Sequence, residues 1–141
     1  MSNTTTSFVE VETRAGRVRG TWRGVPGTAD GSAAFLGIPF AEPPVGELRF
    51  QAPVPHHPWE GVRDALEFGA TAQRGDPGVT LIPEPGVPVE STLNVNVFTP
   101  TPELPASGAG LPVLVWIHGG GYFAGSPASL WYDGRGFNRG G

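Results

Sequence analysis

The chain has 141 residues, no Cys and a net charge of −4. That length suffices for one core, the missing Cys excludes disulfides and thiolate metal sites, and the mild, dispersed charge has no basic stripe to favour nucleic acid. Gly (22) and Pro (16) exceed a quarter of the chain, but they alternate with apolar runs, which reads as a loop-rich globular segment rather than disorder.

Residues 1–7 are polar and expected to fray. They carry neither a basic n-region nor an apolar h-region, so no signal peptide is read, and the longest apolar run is too short for a membrane span. A cytoplasmic location fits a chain without Cys. Residues 8–13 (FVEVET) and 17–22 (RVRGTW) alternate apolar and polar. Gly16 between them suits the positive φ of a tight connection, so a β-hairpin is predicted. A third short strand is expected at 33–37. Proline recurs through residues 38–60 and forbids a long helix there. Residues 74–89 read as a Pro/Gly-rich surface loop.

Residues 93–98 (LNVNVF) alternate again and read as a strand. A connecting loop covers 101–112. Residues 113–117 (VLVWI) are continuously apolar, β-branched and bounded by Pro and Gly, the pattern of a strand buried on both faces. Asp133 is placed to N-cap a short helix through Arg139. Strand, loop and helix at the end of the sequence make half of a βαβ unit, so a truncated α/β protein is expected. The alternative is a complete small β-rich domain ending in a Gly tail.

The chemistry lies in residues 111–126 (LPVLVWIHGGGYFAGS). Gly119, Gly120 and Gly121 follow the expected strand directly, where open α/β sheets bind ligands. Glycine lets backbone N–H groups turn toward one point and lets a ligand approach closely. Two such groups can hold a developing oxyanion, and one donor is worth about 10²–10³ in rate. The plain alternative is a turn with no catalytic part. The spacing Gly119-x-Gly121-x-x-Ala124 also fits a dinucleotide fingerprint. Ser126-Pro127 breaks the helix that motif must open, and no acidic residue ends a second strand about 20 positions on.

Three segments, in order, resemble the type-B carboxylesterase and cholinesterase family: FLGIPFAEPPVGELRF (35–50), ESTLNVNVFTP (90–100) and VLVWIHGGGYFAGS (113–126). The resemblance covers nearly the whole chain from about Val9. It implies an α/β-hydrolase fold, with 8–141 as the N-terminal portion: an antiparallel edge hairpin leading into a mostly parallel sheet, truncated before the nucleophile elbow. It implies Gly120 and Gly121 as oxyanion donors, with a third donor after the nucleophile. Gly119 and His118 would shape the loop, and Tyr122 and Phe123 would line the substrate pocket. It also implies an ion pair between Arg49 and Glu90. The signature's Asp and Cys are Ser91 and Thr92 here, and the partner Cys would fall near Ala72, so the family's disulfide is missing as a pair.

The resemblance implies a serine carboxylesterase that acts on small-molecule esters through an acyl-enzyme, without metal or organic cofactor. None of the seven Ser lies in a Gly-x-Ser-x-Gly elbow, and His56 and His57 sit in a Pro-flanked loop. No catalytic nucleophile, acid or base can be argued from these residues, so the 141 residues alone are expected to be inactive. Other readings are a non-catalytic cholinesterase-like binding protein, one half of a split esterase completed by a C-terminal chain, or a degraded gene product. Nucleic-acid and membrane partners are not expected.

Overall fold

The computed structural model describes residues 7–73, 78–103, 108 and 110–138. Its centre is a five-stranded sheet: β1 (Phe8–Thr13), β2 (Gly16–Arg23), β3 (Ser32–Pro39), β4 (Val62–Asp64) and β5 (Asn94–Thr99). The order is β1-β2-β3-β5, with β4 parallel to β2 and the other pairs antiparallel.

The expected hairpin forms at the expected place. Val11 pairs with Val18 and Val9 with Gly20. Gly16 takes φ +140°, and a Cβ there would lie 2.7 Å from the Trp59 indole nitrogen. That approach lets the Trp59 indole N–H donate to the Arg17 carbonyl at 2.8 Å. Of the expected frayed residues 1–7, only Ser7 is among the described ones. Its carbonyl accepts the Trp22 amide at 2.8 Å, so pairing begins one residue before β1.

β2 shares its second edge between two strands. Residues 21–23 pair with β3, and residues 17–19 pair with β4. The join is made by Ala65, whose N–H donates to the Arg19 carbonyl while its carbonyl accepts the Leu36 amide, both at 2.8 Å. β4 has only three residues and no alternating pattern, so its sequence gives no strand signal.

The core comprises Val18, Ala33, Phe35 and Ala65, flanked by Val9, Val11, Trp22, Ile38 and Trp59. Phe35 lies against Gly20, where a Cβ would meet the Ala34 carbonyl at 2.4 Å and the Phe35 ring at 2.7 Å. β3 is interrupted by a bulge between Phe35 and Ile38. There Gly37, at φ +68°, donates its N–H to the Asn96 Oδ1 at 2.9 Å. After the end of β3, the Pro-rich stretch 38–60 holds one 3₁₀ turn, Gly46–Leu48, and an isolated antiparallel bridge between Ala41 and Pro55, and no long helix, as its prolines require.

Two expectations are corrected. Residues 113–117 form no strand, and their side chains are 64–84% exposed rather than buried on both faces. An apolar run becomes a strand only when a neighbouring edge satisfies its backbone groups, and no described strand pairs with it. The short helix expected from Asp133 is instead a 3₁₀ segment, Gly134–Asn138, with Arg139 outside the described residues. Asp133 does cap it, its Oδ1 accepting the Arg135 amide at 3.0 Å. That segment docks on the sheet through the Arg23–Asp133 ion pair and through Asn138, which donates to Ser32 Oγ at 2.7 Å.

Phe35→Ala should destabilise the fold by about 3–5 kcal/mol in urea unfolding, as expected for a truncated core aromatic. Gly20→Ala, which adds a single methyl, should still cost roughly 1–3 kcal/mol because the added carbon overpacks β3. Wild-type unfolding midpoints for both variants would contradict this account of the core.

Candidate oxyanion-binding loop

The glycine loop turns through Gly120 (φ +133°), Gly121 (φ +60°) and Tyr122 (φ +67°). The Gly120 carbonyl accepts the amides of Phe123 at 3.2 Å and Ala124 at 3.0 Å. A Cβ on Gly120 would lie 1.9 Å from the Ala124 carbonyl oxygen, so only glycine fits. Tyr122 pays for its left-handed backbone with roughly 1–3 kcal/mol of strain, a state that persists only where surrounding contacts fix it.

The turn leaves donors unused. Among the described residues, the N–H groups of Gly119, Gly120 and Gly121 donate to no protein acceptor. Backbone N–H groups without an internal partner are what an anion-binding loop requires.

The loop is held at both ends. His118 Nδ1 donates to the Gly119 carbonyl at 2.8 Å, and its ring stacks on Tyr132 with centroids 6.4 Å apart. Tyr132 also meets the Trp116 ring at 5.6 Å. At the far end, Gly125 donates to Glu84 Oε2 at 2.9 Å, and the Ser126 hydroxyl donates to the Pro85 carbonyl at 2.5 Å. Asn96 reaches over from β5, its Nδ2 donating to the Pro127 carbonyl at 3.1 Å. Since Asn96 Oδ1 also holds the Gly37 amide, one side chain ties the β3 bulge to the loop.

The other expected residues are placed less tightly. Tyr122 and Phe123 are exposed and enclose no pocket among the described residues. The structure does not join Arg49 to Glu90. Arg49 instead lies over its neighbour Phe50, 4.9 Å from the ring centroid, and Glu90 is exposed. Two exposed charges gain little from pairing in water.

Glu84, Asn96 and Tyr132 are not singled out by the sequence, and Ser126 appears there only as a helix breaker with Pro127. Asn96 leaves a trace as a polar residue in the alternating strand 93–98. Glu84 sits in a Pro/Gly-rich stretch without periodicity, and its contact spans 41 positions.

His56 and His57 gather on Glu42 rather than near the glycine loop. Glu42 Oε1 accepts the His57 backbone amide at 2.7 Å and its Nδ1 at 2.6 Å, with His56 Nδ1 at 4.0 Å. Hydrogen bonding from the His57 ring, then from its amide, holds the Glu42 carboxyl below the ordinary glutamate range. Among the described residues no group of three or more His, Asp or Glu is arranged to hold a metal ion, and no helix is long and apolar enough to cross a membrane.

Comparison with known proteins places this geometry. The pattern of the Carboxylesterase family matches residues 7–140. The chain is 42% identical over 132 residues to an acetylcholinesterase of Danio rerio, covering 89% of this chain and 20% of that protein. It is 45% identical over 121 residues to a pyrethroid hydrolase of Mus musculus, covering 81% and 21%. Among solved structures, a carboxylesterase of Geobacillus stearothermophilus superposes with a TM-score of 0.70 at 39% identity, covering 92% of this chain and 23% of that one. The described sheet is thus the N-terminal portion of an α/β-hydrolase fold. The chain spans about a fifth of the length of the curated relatives it matches.

The Glu42 contacts carry a pH signature. A carboxyl whose folded pKa is lowered stabilises the fold above its unfolded pKa, and that stabilisation is lost as pH falls through the folded value. The stability difference between wild type and Glu42→Gln should therefore shrink as the solution is acidified below the ordinary glutamate range. A difference that stays constant across that range in urea titrations would remove the role given to His57.

Proposed function

Because this chain belongs to the Carboxylesterase family, we propose that it supplies the oxyanion-binding part of a serine esterase that hydrolyses small-molecule carboxylic esters. The observation that carries the reading is the pair of unengaged amides at Gly120 and Gly121, in a turn whose Gly120 position admits no Cβ.

In the proposed reaction a serine hydroxyl attacks the ester carbonyl, and the carbonyl π electrons move onto its oxygen. That oxygen becomes an anion, and the N–H groups of Gly120 and Gly121 donate to it. Preformed donors need no reorganisation as the charge develops. A base outside these residues takes the serine proton during the attack and returns it to the leaving oxygen as the tetrahedral intermediate collapses and the C–O bond breaks, so the alcohol departs neutral. Water then attacks the acyl-enzyme by the same route and releases the acid. Tyr122 and Phe123 would form apolar wall for the acyl or alcohol group. Gly119 and His118 would set the loop's entry angle.

The nucleophile is assigned outside these residues. The Ser126 hydroxyl is committed to the Pro85 carbonyl, Ser32 accepts from Asn138, and Ser32, Ser126 and Ser129 are all buried. The relatives described above include an acetylcholinesterase and a pyrethroid hydrolase. They support an ester class without selecting one ester. A chain free of Cys suits a reducing compartment.

The polypeptide as its source makes it should turn over p-nitrophenyl acetate, with a peptide map containing a Gly-x-Ser-x-Gly sequence. In that protein Gly120→Ala should lower kcat by about 10²–10³, the range for loss of an oxyanion donor, while KM changes far less. Failure to cleave any activated ester would defeat the proposal. So would a Gly120→Ala variant impaired only in KM.

A further inference from the structure

We propose that Glu84 is a positioning residue for the oxyanion loop, acting through the amide of Gly125; this rests on the esterase reading above. Residues 84–87 form a strap with a bond on either side. On one side Glu84 Oε2 accepts the Gly125 N–H at 2.9 Å, and the Pro85 carbonyl accepts the Ser126 hydroxyl at 2.5 Å. Ser126 is 3% exposed, and its oxygen also accepts the Ala128 amide at 3.2 Å. On the other side Val87 donates to Thr71 Oγ1 at 2.9 Å, and its carbonyl accepts the Thr71 amide at 3.1 Å and Gln73 Nε2 at 3.1 Å. Thr71 is itself buried. The strap therefore fastens the glycine loop to residues 71–73, which lead back toward the sheet.

Glu84 is the strap's side-chain contact with the loop, its carboxyl oxygen accepting the Gly125 N–H directly. Its effect reaches the donors through close packing. A Cβ on Gly125 would lie 2.3 Å from the Gly119 carbonyl oxygen and 2.5 Å from His118 Nδ1, so the two ends of the loop touch. Gly125 cannot shift toward Gly119 without displacing it, and Gly120 and Gly121 follow Gly119 in the chain. Glu84 thus holds the oxyanion donors at one remove, without touching substrate.

The test compares Glu84→Ala with Glu84→Gln in the polypeptide as its source makes it. Glu84→Ala should lower kcat on p-nitrophenyl acetate by roughly 10-fold or more, since misplacement of about 1 Å costs as much as 10², with KM changed by less than about 2-fold. Glu84→Gln keeps an acceptor oxygen and should restore most of the loss. Amide exchange of ¹⁵N-glycine-labelled protein gives a second readout: Glu84→Ala should speed exchange at Gly125 and leave Gly20 in the sheet unchanged. Unaltered exchange at Gly125 would overturn the inference whatever the activity. Equal losses of kcat in the Ala and Gln variants would overturn it too, because charge rather than position would then be acting. A wild type that cleaves no ester would defeat the esterase reading, while the exchange result would still decide whether Glu84 holds the loop.

Discussion

The ring of Phe35 rests on the bare backbone of Gly20, and the rest of the structure is arranged around that contact. Any side chain at position 20 would push β3 away from β2. The contact seats β3 against the end of β2 and leaves the beginning of β2 free for β4. Ala65 then closes the gap between the two neighbours with its paired hydrogen bonds. β3 in turn carries β5, and β5 carries Asn96, whose amide reaches both the β3 bulge and the chain after the glycine loop. Phe98 on the same strand receives Gly134, where a Cβ would meet the ring at 2.7 Å. Packing between a hairpin residue and one of β3 is thus transmitted, strand by strand, to the glycine-loop segment.

The glycine loop works by a different logic from the core. The chemistry proposed for it belongs to main-chain N–H groups, and the sequence contributes mainly by withholding side chains. Gly120 and Gly125 each stand where a Cβ would collide with a backbone carbonyl. Tyr122 is the exception, a bulky residue at φ +67° whose side chain is exposed. Such a loop has little cohesion of its own. It keeps its shape because His118 and Tyr132 hold one root and residues 84–85 and Asn96 hold the other.

Local signals were legible and long-range ones were not. The hairpin, the strand at 94–99 (expected at 93–98) and the lack of a long helix in 38–60 follow from alternation, Gly16 and proline, which act over a few residues; the third strand runs 32–39 where 33–37 is expected. β4 is set by its partner β2 rather than by its three residues. The run at 113–117 has the composition of a buried strand, but composition cannot supply the neighbouring edges that make one. In the same way the glycines announced a backbone-donor loop, while the groups that support it come from 41 and 31 positions away. The Arg49–Glu90 pair was implied by resemblance, and here Arg49 is satisfied by the ring beside it.

Most of the loop's supports end on main-chain oxygens: the carbonyls of Pro85 and Pro127 take the bonds from Ser126 and Asn96, and the Val87 carbonyl takes those from residues 71–73. Every residue type offers such an oxygen. The acceptor positions can therefore drift in sequence, provided the backbone keeps its path, while the donors Ser126 and Asn96 cannot. Among related chains the strap should vary at every position but Glu84, whose acceptor is a side chain, and yet occupy the same space.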